Sequence, residues 1–210
     1  MASLTRPLLW VSAIALTAAC TRVVGGTPMP GFGASPPGEL DVDTLLLDQS
    51  RMRAITGAGE DLTIIPSMDG KHPVDIDALA ETAPRECRFI YAETATFGPE
   101  VEAFHKTTFQ DPPDHGLISE AVAAYRDADT ARRAFDQLVA SVANCATTSS
   151  GQLFVGRWQT DGDSLHIRPG DCGRDYRVLS VTLLEVTFCG FPESVSDIVM
   201  TNMAANVPAR

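Results

Sequence analysis

The chain has 210 residues, of which 44% are hydrophobic and 20% charged, so one ordinary globular domain with a proper core fits within it. The formal net charge is −11, and Arg6 is the sole charge among residues 1–19, which makes the remainder more acidic still. Such a surface repels phosphate backbones and anionic headgroups, so neither nucleic acid nor an electrostatically held membrane surface is an expected partner.

The first 19 residues read as a signal peptide. Arg6 precedes the uncharged, mostly apolar run Pro7 to Leu16, small residues Thr17-Ala18-Ala19 follow, and then comes Cys20. The run is too short for a comfortable membrane span, which takes about 20 residues. Small residues before a cysteine resemble a lipobox, which makes Cys20 the expected lipidated first residue of the mature protein. Thr17 stands where that motif usually has Leu, and Leu16 lies one place earlier. Residues 20–40 then read as a tether: Thr21 to Leu40 holds five Gly and four Pro without apolar periodicity. A flexible chain of that length spans about 25 Å end to end, and two or more acyl chains on Cys20 would hold it stably. The expected address is the extracytoplasmic face of the cell membrane, reached through the lipid.

The domain is expected over residues 41–210. Asp43 or Thr44 can cap a short helix with Leu46, Leu47, Met52 and Ile55 on one face, ended by Gly57. Asp61 to Pro66 reads as a strand and Met68 to Asp77 as a loop broken by Gly70 and Pro73. Cys87 to Tyr91 fits a strand or a short helix behind Pro84, and Glu102 to Gln110 alternates weakly before Asp111-Pro112-Pro113-Asp114 stops it. Ile118 to Tyr125 is ambiguous between strand and helix by periodicity. A helix capped by Asp127 or Asp129 follows, with Ala131, Phe135, Leu138, Val139 and Val142 on one face and Cys145 at its end. Strands are expected at Gln152 to Trp158 and Ser164 to Arg168, with a hairpin from Arg174 to Phe188 turning near Ser180 to Thr182. Pro192 opens a last helix with Val195, Ile198, Val199 and Met203 facing inward. Several strands on short connections plus two long helices indicate an α+β fold around an antiparallel sheet.

Five cysteines leave an odd one, and assigning Cys20 to lipid removes it. An oxidising compartment then favours two disulfides among Cys87, Cys145, Cys172 and Cys189 over a metal site, for which no CxxC spacing exists. Cys172 and Cys189 flank the expected hairpin, which favours their pairing and leaves Cys87 with Cys145. On the chain-entropy picture these loops would contribute about 3 and 4 kcal/mol respectively.

The residues that could carry chemistry are few. No GxSxG, HExxH, phosphate loop or EF-hand pattern occurs, and Gly57-Ala58-Gly59 ends a helix instead of opening one. His105 with Asp111, Asp114 and His115 could bind zinc or move protons, but is read as solvated surface on an exposed, proline-broken loop. His72 and His166 are read as surface or internally satisfied, and Phe154 with Trp158 as core packing in preference to an apolar pocket. No catalytic residue, cofactor site or metal site is assigned, and the chain is not expected to be an enzyme.

Several stretches together resemble the PknH-like extracellular domain family, the sensor domain of a mycobacterial Ser/Thr kinase and the lipoproteins that share it. They are LLLDQSRMRAITG, ECRF around Cys87, AVAAYRDADTARRAFDQLVASVANCA followed by Trp158, and DCGRDYRVLSVTLLEVTFC. The likeness spans about residues 41 to 207. It implies the pairs Cys87–Cys145 and Cys172–Cys189, a strand at Ile118 to Tyr125, an antiparallel sheet with packed helices, and a cleft for an unidentified ligand. The resulting expectation is a sensor-like, ligand-binding lipoprotein, with a mostly apolar cleft because the acidic surface disfavours anions. A scaffold that contacts envelope proteins is the second expectation, and a hydrolytic or metal enzyme using the His105–His115 region the third.

Overall fold

The computed structural model describes residues 40–208. The signal peptide, Cys20 and nearly all of the tether lie outside the described residues. One seven-stranded antiparallel sheet organises the domain, in the order β1-β2-β3-β7-β6-β5-β4. The strands are β1 (Thr63–Ile64), β2 (Ala103–Asp111), β3 (Gly116–Ala124), β4 (Arg157–Asp161), β5 (Ser164–Arg168), β6 (Cys172–Leu179) and β7 (Thr182–Cys189). Two hairpins, β2–β3 and β6–β7, meet where β3 pairs with β7, with Glu120 opposite Val186 and Ala121 opposite Glu185.

Helices cover both faces. On one face α3 (Glu93–Phe97), α4 (Ala128–Cys145), α5 (Ser149–Val155) and the 3-10 turn Arg85–Ile90 bury Phe97, Phe104, Phe135, Leu138, Leu165, Tyr176 and Leu183. On the other, α1 (Gln49–Thr56) and α6 (Glu193–Asn206) bury Met52, Phe109, Ile118, Val122, Leu184, Phe188, Val199 and Met203. A strand buried on both faces is apolar at nearly every position, so period-two alternation disappears. That is the physical reason Ile118 to Tyr125 looked ambiguous, although it is the strand β3.

Two disulfides, Cys87–Cys145 and Cys172–Cys189, are present. The first pins the 3-10 turn to the end of α4. The second joins directly opposed residues at the open end of the β6–β7 hairpin, so it fixes the register of β6, whose Asp175 lies beneath the candidate site.

Local sequence accounts for the long helix. Asp127 accepts from the Thr130 N–H at 2.7 Å and from its hydroxyl at 2.6 Å, which caps α4. Five expectations need correction. The first helix starts after Asp48, whose carboxylate accepts from the Arg51 N–H at 2.8 Å, and not at Asp43 or Thr44. Asp41 instead caps a 3-10 turn, Val42–Thr44, and Leu45 and Leu47 are buried before α1 begins. The strand expected at Gln152 to Trp158 is split: Thr148 caps the short helix α5, and β4 starts only after Gly156. Gly156 has φ 58, and a Cβ there would lie 2.0 Å from the Arg168 carbonyl oxygen, so no other residue permits the break. The strand expected at Asp61 to Pro66 shrinks to the two-residue β1. In α6, Pro192 is the N-cap and not the first helical residue, and Ile198 is 47% exposed while Met200 takes an inward position.

Candidate functional site

A cleft of about 300 Å³ opens between the β4–β5 end of the sheet and the first turns of α6, lined by Arg157, Trp158, Gln159, His166, Arg168, Glu193 and Asp197. The strand pairing explains the set. Arg157 opposes Arg168 and Gln159 opposes His166, so these side chains share the face that α6 covers. Trp158 opposes Ile167, projects to the other face and packs with Phe154 against the core there. The indole is core packing. The expected apolar cleft is therefore wrong: its walls are two arginines, a histidine, an amide and two carboxylates.

The floor is a buried ion cluster. Asp175, on the same face of β6, is 2% exposed. Its Oδ1 lies 2.6 Å from Arg168 Nη1 and 2.7 Å from His166 Nδ1, and its Oδ2 accepts from the Ser196 hydroxyl at 2.5 Å. The Arg168 guanidinium stacks 5.2 Å above the Phe188 ring. That ring lies over Gly173, where a Cβ would be 2.4 Å from it, so Gly173 makes room for the whole stack. Arg168 Nε is 3.4 Å from Glu193 Oε1 yet makes no hydrogen bond among the described residues, and the exposed Arg157 approaches the same carboxylate oxygen at 3.6 Å. That buried nitrogen of Arg168 is thus held to Glu193 by charge without an aligned hydrogen bond.

Ser196, Asp175 and His166 contain the residue types of a nucleophilic triad in the wrong order. In that chemistry the imidazole stands between the serine and the carboxylate, so that it can take the hydroxyl proton. Here the carboxylate stands between them, and Ser196 is fully buried. The arrangement orients Arg168 and His166. It is not arranged to activate a nucleophile.

His105, Asp111, Asp114 and His115 are not brought together into one site. His105 sits within β2, away from the β2–β3 turn that carries Asp114 and His115. Its Nδ1 lies 3.0 Å from Asp43 and its Nε2 2.9 Å from Asp69, with Lys71 beside Asp43. Hydrogen bonding from Lys71 is the main reason the Asp43 carboxyl is held below its ordinary pKa. The two carboxylates occupy opposite sides of the ring, so they cannot converge on one ion with it. Asp111, expected on the surface, is buried, and burial followed by the neighbouring charges of Asp114 and Asp61 raises its pKa. His72 and His115 are exposed, and His166 is satisfied by Asp175. Among the described residues no group of three metal-ligating side chains converges.

Another buried acid, like Asp175, went unmarked in the sequence. Glu120, at the centre of β3, is fully buried, and both of its carboxyl oxygens lie 3.0 Å from the Leu47 N–H. Burial without a cation, only partly offset by that N–H, pushes its pKa up to about 8.

A disulfide-bonded α+β domain with a polar cleft at one end of its sheet is the class these features define. Comparison with known proteins places it further: the model of the PknH-like extracellular domain matches residues 37–206, and the chain belongs to that family. The crystal structure of the extracellular domain of PknH from Mycobacterium tuberculosis is similar at a TM-score of 0.55 and 16% identity, covering 78% of this chain and 92% of that one. None of the curated proteins matches the chain. Membership in a family of extracellular domains supports an extracytoplasmic, sensor-like role. Among the described residues no helix is long and apolar enough to cross a membrane.

Proposed function

We propose that this chain is a lipid-anchored extracytoplasmic lipoprotein whose sensor-like domain, residues 41–210, binds an envelope ligand in the β4–α6 cleft and performs no catalysis. The observation that carries the binding reading is the cleft itself: facing charges of both signs over a floor fixed by Asp175. Preorganised polar groups lower the ordering cost of binding. Their mixed charge suits a polar or zwitterionic ligand and neither an apolar molecule nor nucleic acid. The anchor rests on the signal-peptide pattern, Cys20 and the Gly/Pro-rich composition of residues 21–40.

Native mass spectrometry of the full chain, released from its own envelope, tests the cleft. A bound small molecule is expected in the wild type and absent from Asp197→Trp, which fills the cleft from the helix side. A ligand retained by the filled variant, or no ligand at all, sinks the reading. Detergent partitioning tests the anchor: Cys20→Ser is expected to shift the protein to the aqueous phase, and unchanged partitioning removes the lipid. A scaffold that contacts envelope proteins is the second reading, favoured by Met68, Val74, Ile76 and Leu79, large apolar side chains exposed within one short segment. In-cell cross-linking to one defined protein, with no small ligand found, replaces the first reading with this one.

A further inference from the structure

The two edges of the sheet are treated differently. At one edge β1 and Gly70 take up outward groups of β2: Thr108 C=O accepts from Ile65 N–H, and Lys106 exchanges both of its backbone bonds with Gly70, each at 2.9 Å. The β4 edge is open. β4 is the last strand in the order, and Arg157, Gln159, Thr160 and Asp161 are all exposed. The two-residue turn Gly162-Asp163 makes Asp161 and Ser164 a hydrogen-bonded pair, so Asp161, Gln159 and Arg157 spend their backbone groups on β5. The bond from Val178 N–H to Asp163 C=O fixes the same alternation from the β6 side. The backbone N–H and C=O of Trp158 and Thr160 therefore point away from the sheet, and nothing among the described residues receives them.

An open edge is ordinarily blunted by charge. Here the charges read Arg157-Trp158-Gln159-Thr160-Asp161, a sequence complementary to itself when reversed. Place a second copy antiparallel with its two-fold axis at Gln159. Trp158 then opposes Thr160 of the other copy and Thr160 opposes its Trp158, and each pair exchanges both backbone bonds. Arg157 faces Asp161 of the second copy in both directions, and Gln159 faces its own equivalent. Neighbouring registers that keep the outward groups paired centre on Trp158 or Thr160, and they lose the Arg–Asp match.

We infer that the β4 edge is a self-association surface, on which two copies of this chain pair antiparallel about Gln159 into one continuous sheet. The contact is isologous, as a two-fold dimer requires. It sets the Arg157 and Gln159 walls of two clefts side by side across the axis. A five-residue edge buries little area, so the association is weak in dilute solution and calls for a trap as its readout.

The trap is Gln159→Cys in the full chain, oxidised in native membranes and read as a doubled mass on a non-reducing gel. Glu60→Cys, whose parent side chain is 92% exposed, serves as the collision control. Gln159→Cys is expected to cross-link at least tenfold faster than this control. In the same background, Arg157→Asp is expected to return the rate to the control level, and Arg157→Asp with Asp161→Arg to restore it. Thermal unfolding checks that each variant is folded. Equal rates for Gln159→Cys and the control, failure of the double reversal to rescue, or capture of a different protein in place of a second copy each overturns the inference.

Discussion

Glu120 and Asp175 are both buried carboxyl groups on the α6-covered face of one sheet, and they are held in opposite ways. Asp175 has an arginine, a histidine and a serine hydroxyl around it. Glu120 has a single backbone N–H and, as the nearby charge acting on it, Asp48, which opposes ionisation. Equal burial therefore meets different surroundings: three donors around Asp175 at one end of the sheet, and at the centre a lone N–H that leaves the pKa of Glu120 raised. Burial sets the penalty for a charge, and partners decide whether it is borne. The paired acid lies under the cleft. The unpaired acid receives the chain just ahead of α1, through Leu47.

The largest expected effect follows from breaking the paired end. Asp175→Asn keeps the shape and removes the charge, which leaves Arg168 buried against Phe188 without its principal counter-ion. A loss of about 3–5 kcal/mol is expected in urea unfolding, since removing one partner strands the other. Glu193 is too exposed to replace it. A loss below about 1 kcal/mol would mean that Arg168 swings out to water, and the contrast with Glu120 would fail at that end.

The next effect is a pH dependence. The folded pKa of Glu120, about 8, lies above the ordinary 4.5. The unfolded chain therefore loses its proton first, and the folded state binds more protons between those values. Stability from this group is fully present below about pH 4.5, falls as pH rises, and is lost by pH 8. The loss is on the order of 4–5 kcal/mol. Glu120→Gln cannot ionise, so its unfolding free energy is expected to stay flatter from pH 5 to 8 than that of the wild type. Parallel pH profiles for the two proteins would show that Glu120 is ionised at neutral pH and paired after all.

This contrast was only half legible in the sequence. Elements defined by a local signal came through: the Asp127 cap, the hairpin between Cys172 and Cys189, and the strand Ser164 to Arg168 with its bounds. Where local signals competed, tertiary packing decided. Leu45 and Leu47 are buried by the sheet face and only then does Asp48 start a helix, so the apolar run was read one element too early. Gln152 to Val155 is apolar enough for a strand, yet Thr148 and Gly156 bracket a helix. The candidate cleft was not legible at all. Its walls come from β4, β5 and α6, and only the strand order and the α6 packing bring Arg157 and Arg168 to Glu193. Glu120 was hidden for the opposite reason, because a single acid in a run of alanines and valines reads as solvent-facing until both faces of β3 are known to be covered.

The smallest effect sharpens the paired end. His166 is one of three groups on Asp175 and is partly open to water, so screening reduces what its 2.7 Å bond contributes. His166→Phe keeps the ring volume against β4 and removes only the donor, while Arg168 and Ser196 still serve Asp175. A loss of about 1 kcal/mol is expected in urea unfolding. The informative quantity is the coupling. In the Asp175→Asn background the same histidine change is expected to cost less by at least about 0.5 kcal/mol, because contacting groups in one network are not additive. If the two losses simply add, His166 stands beside Asp175 without depending on it. The cluster under the cleft then reduces to the Arg168 pair with its serine, one partner closer to the poverty of Glu120.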